Sequence, residues 1–179
     1  MTNSITIGPA TLDDAAAVAA IYGHYVTSST ASFEFEPPAP AEMAERIAKI
    51  LAGAYPWLVA RGGQGDLLGY AYAARFAPRE GYRYACETSI YVRMDALGQG
   101  VGTALLGGLL ERCEAIGQRQ AFAIIAGTEP ASVVLHARHG YRPVGTMEKA
   151  GRKHGQWIDV FVMQRALGDG GNSPPPGED

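Results

Sequence analysis

A chain of 179 residues that is 47% apolar and 18% charged can fill one sizeable core, and is read as one folded domain over residues 1–167. Its net charge of −3 and pI near 5.8 argue against nucleic acid or an anionic membrane as a partner, and no apolar run approaches the length of a membrane span. Two cysteines, Cys86 and Cys113, lack metal-site or disulfide-framework spacing, and no basic segment followed by an apolar one opens the chain, so a cytoplasmic protein is expected.

Ile5-Thr6-Ile7 alternates as a short strand. Thr11 and Asp14 have the form of a capping box, with Asp in place of Glu. Val18, Ile21, Tyr22, Tyr25 and Val26 then recur at helical spacing, which predicts a helix from about Leu12 to Tyr25. Ser28 to Pro40 cannot stay helical through Pro37-Pro38; it is read as a loop in which Phe33 and Phe35 alternate with Glu34 and Glu36. Met43, Ile47, Ile50 and Leu51 mark a second helix, broken at Gly53 and Pro56. Trp57–Arg61 and Leu67–Ala74 read as two strands of a hairpin about the turn Gly62–Asp66. Arg75–Tyr84 is a charged loop leading into the strand that carries Glu87 and ends at Val92.

Next come the glycines of Leu97-Gly98-Gln99-Gly100-Val101-Gly102, then Leu105, Leu106, Leu109, Leu110 and Cys113 at helical spacing. Ala121–Ile125 is wholly apolar, as in a strand buried on both faces. Pro130 suits the first position of a helix through His139, closed by Gly140. Tyr141–Met147 and Trp157–Arg165 read as two closing strands. Gly168–Asp179 has no apolar residue to pack and reads as a disordered tail. The order β, α, loop, α, β, β, β, α, β, α, β, β predicts an α/β fold with a mixed central sheet flanked by helices on both faces.

Strand, glycine loop and helix together are a recipe for an anion site, because first-turn amides lack partners and glycines allow close approach. A diphosphate is therefore expected at Gly98–Thr103, although a GxGxG alone equally describes a tight turn. A P-loop would need Gly-Lys-Ser/Thr, and here Thr103-Ala104 follow Gly102. A dinucleotide fingerprint would need an acid ending the next strand, which instead ends in Ala126-Gly127. Glu87 shares a strand face with Ser89 and Tyr91; a carboxylate there, just upstream of the loop, is a candidate base or a half-exposed strand residue. His136 is a candidate for giving a proton to a leaving thiolate or orienting a base, with a helix-face histidine as the alternative; no clustered third ligand supports a metal. Cys86 faces away from Glu87 and is read as inert. Arg75, Arg79, Tyr82 and Arg83 crowd the loop before Glu87, where a guanidinium suits a substrate carboxylate.

Several motifs fall in one order: Glu87-Thr88-Ser89-Ile90-Tyr91-Val92, the glycine loop, Ser132-Val133-Val134-Leu135-His136, Gly140-Tyr141, and Gly151-Arg152-Lys153-His154-Gly155-Gln156-Trp157-Ile158-Asp159-Val160. Together they resemble the phosphinothricin N-acetyltransferase branch of the GCN5-related (GNAT) superfamily, over about Ile5 to Leu167, with the last string the most specific. The Phe33 segment fits as well. The resemblance implies a GNAT fold and acetyl transfer from acetyl-CoA, without a metal, to a small amine such as phosphinothricin, methionine sulfoximine or methionine sulfone. It makes Glu87 the general base and places His136 where relatives in the superfamily carry a tyrosine proton donor. The cofactor arm would pair with Ile90, Tyr91 and Val92, and its diphosphate would lie on Gly98, Gln99, Gly100, Val101, Gly102 and Thr103. An amide near Val92 would receive the oxyanion. Phe33, Arg75, Tyr82 and Arg83 would meet the substrate, and a homodimer is implied. The chain departs from the pattern at Leu97, usually Gln or Arg, and at Glu129, usually an Asn that touches the cofactor arm. Other readings are a GNAT enzyme for a polyamine or protein N-terminus, and a CoA-binding module without catalysis.

Overall fold

The computed structural model describes residues 4–127 and 129–175. Seven strands form one sheet in the order β1-β2-β3-β4-β5-β7-β6. They are β1 (Thr6–Pro9), β2 (Trp57–Arg61), β3 (Leu67–Arg75), β4 (Ala85–Val92), β5 (Gln120–Ala126), β6 (Arg142–Lys153) and β7 (Gln156–Ala166). Every neighbouring pair is antiparallel except β4 with β5. Four α-helices cover it: α1 (Ala15–Ser28), α2 (Pro40–Ala52), α3 (Val101–Ala115) and α4 (Pro130–Arg138). The α/β fold expected of the sequence, with helices on both faces, is the fold found.

Strand parity splits the core in two. Leu58, Ala60, Ala71, Ala73 and Cys86 point to the side of α3, among Leu105, Leu106, Leu109 and Cys113. Trp57, Val59 and Tyr70 point to the other side, among Val18, Tyr22, Val26, Met43 and Ile47 of α1 and α2. The helix starts follow local chemistry. Pro40 and Pro130 open α2 and α4, where the missing amide costs nothing. Asp14 accepts from the Thr11 amide at 2.9 Å, and its turn, Leu12–Asp14, is 3-10 rather than the first turn of α1.

β6 runs past the expected end at Met147 to Lys153. It bulges between Met147 and Gly151, where Lys149 has φ 51°, and turns through His154 and Gly155 at φ 48° and 77°. Two successive positive φ values give the hairpin turn that matches strand twist, and a histidine in that position hides it from the sequence. Of the expected tail, residues 168–175 form turns in which Arg119 donates to the Pro174 carbonyl at 3.1 Å; residues 176–179 lie outside the described residues. Among the described residues no helix is long and apolar enough to cross a membrane.

Candidate active site

The sheet carries a fork. β4 pairs with β5 at Ala85↔Gln120, Cys86↔Ala121 and Glu87↔Phe122, and the register ends there. β4 stays with β3 as far as Val92, and β5 stays with β7 as far as Ala126, so the two parallel strands part beyond Glu87. A cleft of about 430 Å³ opens between them, walled by Thr88–Val92, Ala123–Ala126, the glycine loop and α4. Phe76 donates its amide to the Ala85 carbonyl and Arg93 donates to the Leu68 carbonyl, so odd-numbered residues of β4 bond toward β3. By alternation the Ile90 and Val92 amides face the cleft. The Val92 carbonyl is already held there by Tyr25 Oη at 2.6 Å.

The outer end of the cleft is the mouth of α3. Gly98 and Gly100 have φ 73° and 85°, the left-handed region that glycine enters without strain, and no atom lies within 4 Å of where either Cβ would be. Gly100 is the residue before the helix, and the Ala104 amide is the first to bond back to it, at 3.0 Å. The amides of Val101, Gly102 and Thr103 are thus left without intrahelical partners. A side chain at Gly102 would come within 3.2 Å of Leu135, so this glycine lets α4 close against α3. The Gln99 side chain turns back to the Asp95 carbonyl at 2.7 Å, and Leu97 adds an exposed apolar wall.

The inner end holds the titratable groups. Glu87 stands at the crotch of the fork, on the α1/α2 face, and burial raises its carboxyl above the usual range. Its β5 partner Phe122 stacks on Phe76 at 4.3 Å, and Tyr82 meets Phe76 edge-on at 5.6 Å. Tyr91 is embedded in an aromatic cluster, 5.1–5.3 Å from the rings of Tyr22, Tyr25 and Tyr70.

His136 lines the cleft from the opposite face, 2% exposed. Its Nδ1 lies 2.8 Å from the Ser132 carbonyl, which assigns the hydrogen to Nδ1 and leaves Nε2 a lone pair. That Nε2 is buried without a hydrogen-bond partner among the described residues. Burial lowers the basicity of the ring, partly offset by the Ser132 carbonyl. Its edge packs on Tyr141, whose hydroxyl donates to Thr88 Oγ1 at 2.8 Å while Thr88 donates to the Phe122 carbonyl. Glu129, at the start of α4, also lines the cleft; burial raises its carboxyl against a Ser29 hydrogen bond.

The structure therefore brings His136, Ile90, Tyr91, Val92, Glu129 and the glycine loop to one cleft, while Glu87 stands at the last strand pair behind it and is not among the residues that line it. It draws two of the expected substrate residues elsewhere. Arg75 donates to Glu80 at 3.0 Å and Arg83 lies 3.9 Å from the same carboxylate. Parity also sets Arg75 beside Cys86, on the face away from Glu87. Phe33 lies against the β6 hairpin, where a Cβ on Gly151 would be 2.1 Å from its ring.

A polar network escaped sequence reading. Arg46 grips Glu34 with two bonds of 2.7 and 3.0 Å, Tyr22 donates to Glu34 at 2.8 Å, and the buried Lys153 Nζ donates to the Ser32 carbonyl at 2.6 Å. It fastens the loop after α1 to the β6–β7 hairpin. The alternation of Glu34 and Glu36 with two phenylalanines was the one available signal. Among the described residues no three His, Cys, Asp or Glu side chains converge as a metal site.

A family model described as an acetyltransferase (GNAT) domain matches residues 7–162. The chain is 46% identical over 164 residues to a phosphinothricin N-acetyltransferase of Alcaligenes faecalis, covering 91% of this chain and 83% of that protein. It is 38% identical to an L-methionine sulfoximine/L-methionine sulfone acetyltransferase of Pseudomonas paraeruginosa, covering 92% and 95%. Among solved structures, a GNAT superfamily phosphinothricin acetyltransferase from Sinorhizobium meliloti, in complex with AcCoA, superposes with a TM-score of 0.94 at 41% identity, covering 99% and 95%.

Proposed function

The chain belongs to the acetyltransferase (GNAT) family, and from that membership we propose that it moves the acetyl group of acetyl-CoA to the amine of a small amino acid analogue, of the phosphinothricin, methionine sulfoximine or methionine sulfone kind. The observation that carries the reading is the fork itself. It begins just past Glu87, the strand carboxylate of raised basicity at the last β4–β5 pair, and the cleft it opens reaches a helix mouth with free amides.

In this reading the diphosphate lies on the Val101–Thr103 amides and the pantetheine arm bonds to β4 as an added strand. The substrate ammonium must lose a proton before nitrogen can attack the thioester carbon, and Glu87 takes it. Nitrogen–carbon bond formation gives a tetrahedral oxyanion, and carbon–sulfur cleavage releases the coenzyme thiolate. Two parts of the expected mechanism shift. An extended strand rises about 3.3 Å per residue, which puts Val92 some 16 Å along β4 from Glu87; the oxyanion donor is better placed as the Ile90 amide. His136 holds its hydrogen on Nδ1, so the buried Nε2 is an acceptor rather than an acid. The thiolate then takes its proton from solvent at the cleft mouth.

Phe76, Tyr82 and Phe122 give an apolar wall beside Glu87 for the substrate's side chain. A homodimer is part of the proposal, supported by the β6–β7 hairpin, where Val144, Met147 and Trp157 are 52%, 45% and 63% exposed. So is a cytoplasmic setting, supported by the buried free thiols of Cys86 and Cys113. The test is thiol release from acetyl-CoA with phosphinothricin, methionine sulfoximine, methionine sulfone, spermidine and an N-terminal peptide. Turnover confined to the amino acid analogues supports the reading. Preference for spermidine or peptide reassigns the acceptor, and coenzyme binding without release from any amine leaves a binding module.

A further inference from the structure

The coenzyme proposed for the cleft carries three negatively charged phosphates, yet the glycine loop brings no cation. From Leu97 to Ala104 there is no Lys or Arg. Gln99, the one long polar side chain of the loop, is bonded back to the Asp95 carbonyl. Unpaired amides hold an anion well, but without a positive charge beside it the ligand keeps most of its own repulsion.

One guanidinium lines the cleft, that of Arg138. It sits in the last turn of α4, which is fastened to the first turns of α3. Leu135 packs over Gly102, and His139 meets the Thr103 carbonyl at 3.1 Å. Arg138 lies in the same turn of α4 and lines the same cleft as Gly102 and Thr103. It is exposed, and among the described residues it has neither an ion pair nor a hydrogen bond, unlike Arg46, Arg61, Arg75 and Arg93, each of which is committed to a carboxylate. It also borders a basic hollow with Arg142 and Arg165.

We infer that Arg138 supplies, from α4, the cationic phosphate contact that the glycine loop lacks, and so positions the coenzyme. This rests on the acetyl-CoA reading of the cleft. A planar guanidinium pairs with two phosphate oxygens at once, which an ammonium cannot reproduce. The phosphate it meets is one of the coenzyme's, either in the diphosphate or at the ribose 3′ position.

The test is calorimetric binding of CoA, 3′-dephospho-CoA and pantetheine to the wild-type chain, Arg138→Gln and Arg138→Lys. Arg138→Gln should weaken CoA about tenfold, with Arg138→Lys between, and pantetheine unaffected. If 3′-dephospho-CoA binds both chains alike, the contact is to the 3′-phosphate; if it is weakened as CoA is, the contact is to the diphosphate. In turnover, KM for acetyl-CoA should rise with kcat retained. CoA binding equally tight in Arg138→Gln would overturn the assignment while leaving the acetyl-CoA reading intact. Failure of the wild-type chain to bind CoA would overturn both.

Discussion

Replacing Glu87 with Gln separates its proposed chemistry from its place in the fold. The side chain keeps its shape at the crotch of the fork, and only the proton acceptor is lost. General base catalysis contributes about 10²–10⁴ in rate, or about 2.7–5.4 kcal/mol of barrier at 1.36 kcal/mol per decade. The thiol-release rate at saturating acetyl-CoA should fall by that factor while coenzyme affinity holds. The pH profile gives a second readout. The wild-type rate should fall as pH drops through the raised carboxyl value, and Glu87→Gln should lack that limb. Stability should move the other way. A carboxyl raised by burial binds more protons folded than unfolded, so it stabilises below its unfolded value and loses that contribution as pH rises through the folded one. At neutral pH the wild type bears the cost of a buried charge, and the variant should melt at the same temperature or higher. An unchanged rate, or a rate loss that tracks a lower melting temperature, would refute the assignment of Glu87 as base.

Gly100→Ala puts a side chain at φ 85°, which should cost about 1–2 kcal/mol in urea unfolding and weaken CoA by misplacing the first-turn amides. Gly151→Ala drives a methyl into the Phe33 ring, a clash expected to cost about 1 kcal/mol or more; adding Phe33→Ala should remove most of it, and additive losses in that double-mutant cycle would contradict the contact. Leu105→Ala empties a fully buried site under the sheet and should destabilise by about 2–5 kcal/mol, read by thermal unfolding. His136 is buried with its basicity lowered, so the stability it contributes is present above its unfolded value near 6.5 and lost as pH falls through the lower folded one. His136→Gln should flatten the acid limb of a melting-temperature profile, and an unchanged limb would place the acid sensitivity elsewhere.

What the sequence discloses depends on whether a local rule forces a residue type. The mouth of α3 is legible because its backbone needs left-handed residues at Gly98 and Gly100, and glycine is the economical letter for that. The start of α4 is legible because proline fits there and nowhere further in, whereas Pro40, read as the end of a loop, opens α2 in the same way. The face of Glu87 is legible because strand parity is rigid. The continuation of β6 is not, since Lys149 and His154 take positive φ against their own preference, held by the hairpin around them. Lys153 reads as a surface residue and is buried because the Ser32 carbonyl and Glu34 lie over it, a meeting of segments some 120 residues apart.

The same distinction explains why the site was only partly read. Arg75 and Arg83 look like an anion-binding loop on composition, but Glu80 lies within that loop and answers both. Arg138 looks like an ordinary helix-end cation and becomes interesting only when Gly102 and Leu135 bring α4 onto α3. The fork itself leaves no mark at all. Ala123–Ala126 is as apolar as a fully paired strand, and nothing in its letters says that its ladder to β4 ends at Phe122. The parting is a property of the sheet: β4 is held by β3 on one side, β5 by β7 on the other, and the space where the two strands would have met is the cleft, walled by the glycine loop and α4. A mutation that rejoined β4 to β5 would improve the backbone pairing and close the cleft, so stability and coenzyme binding are in direct competition at Ile90 and Val92.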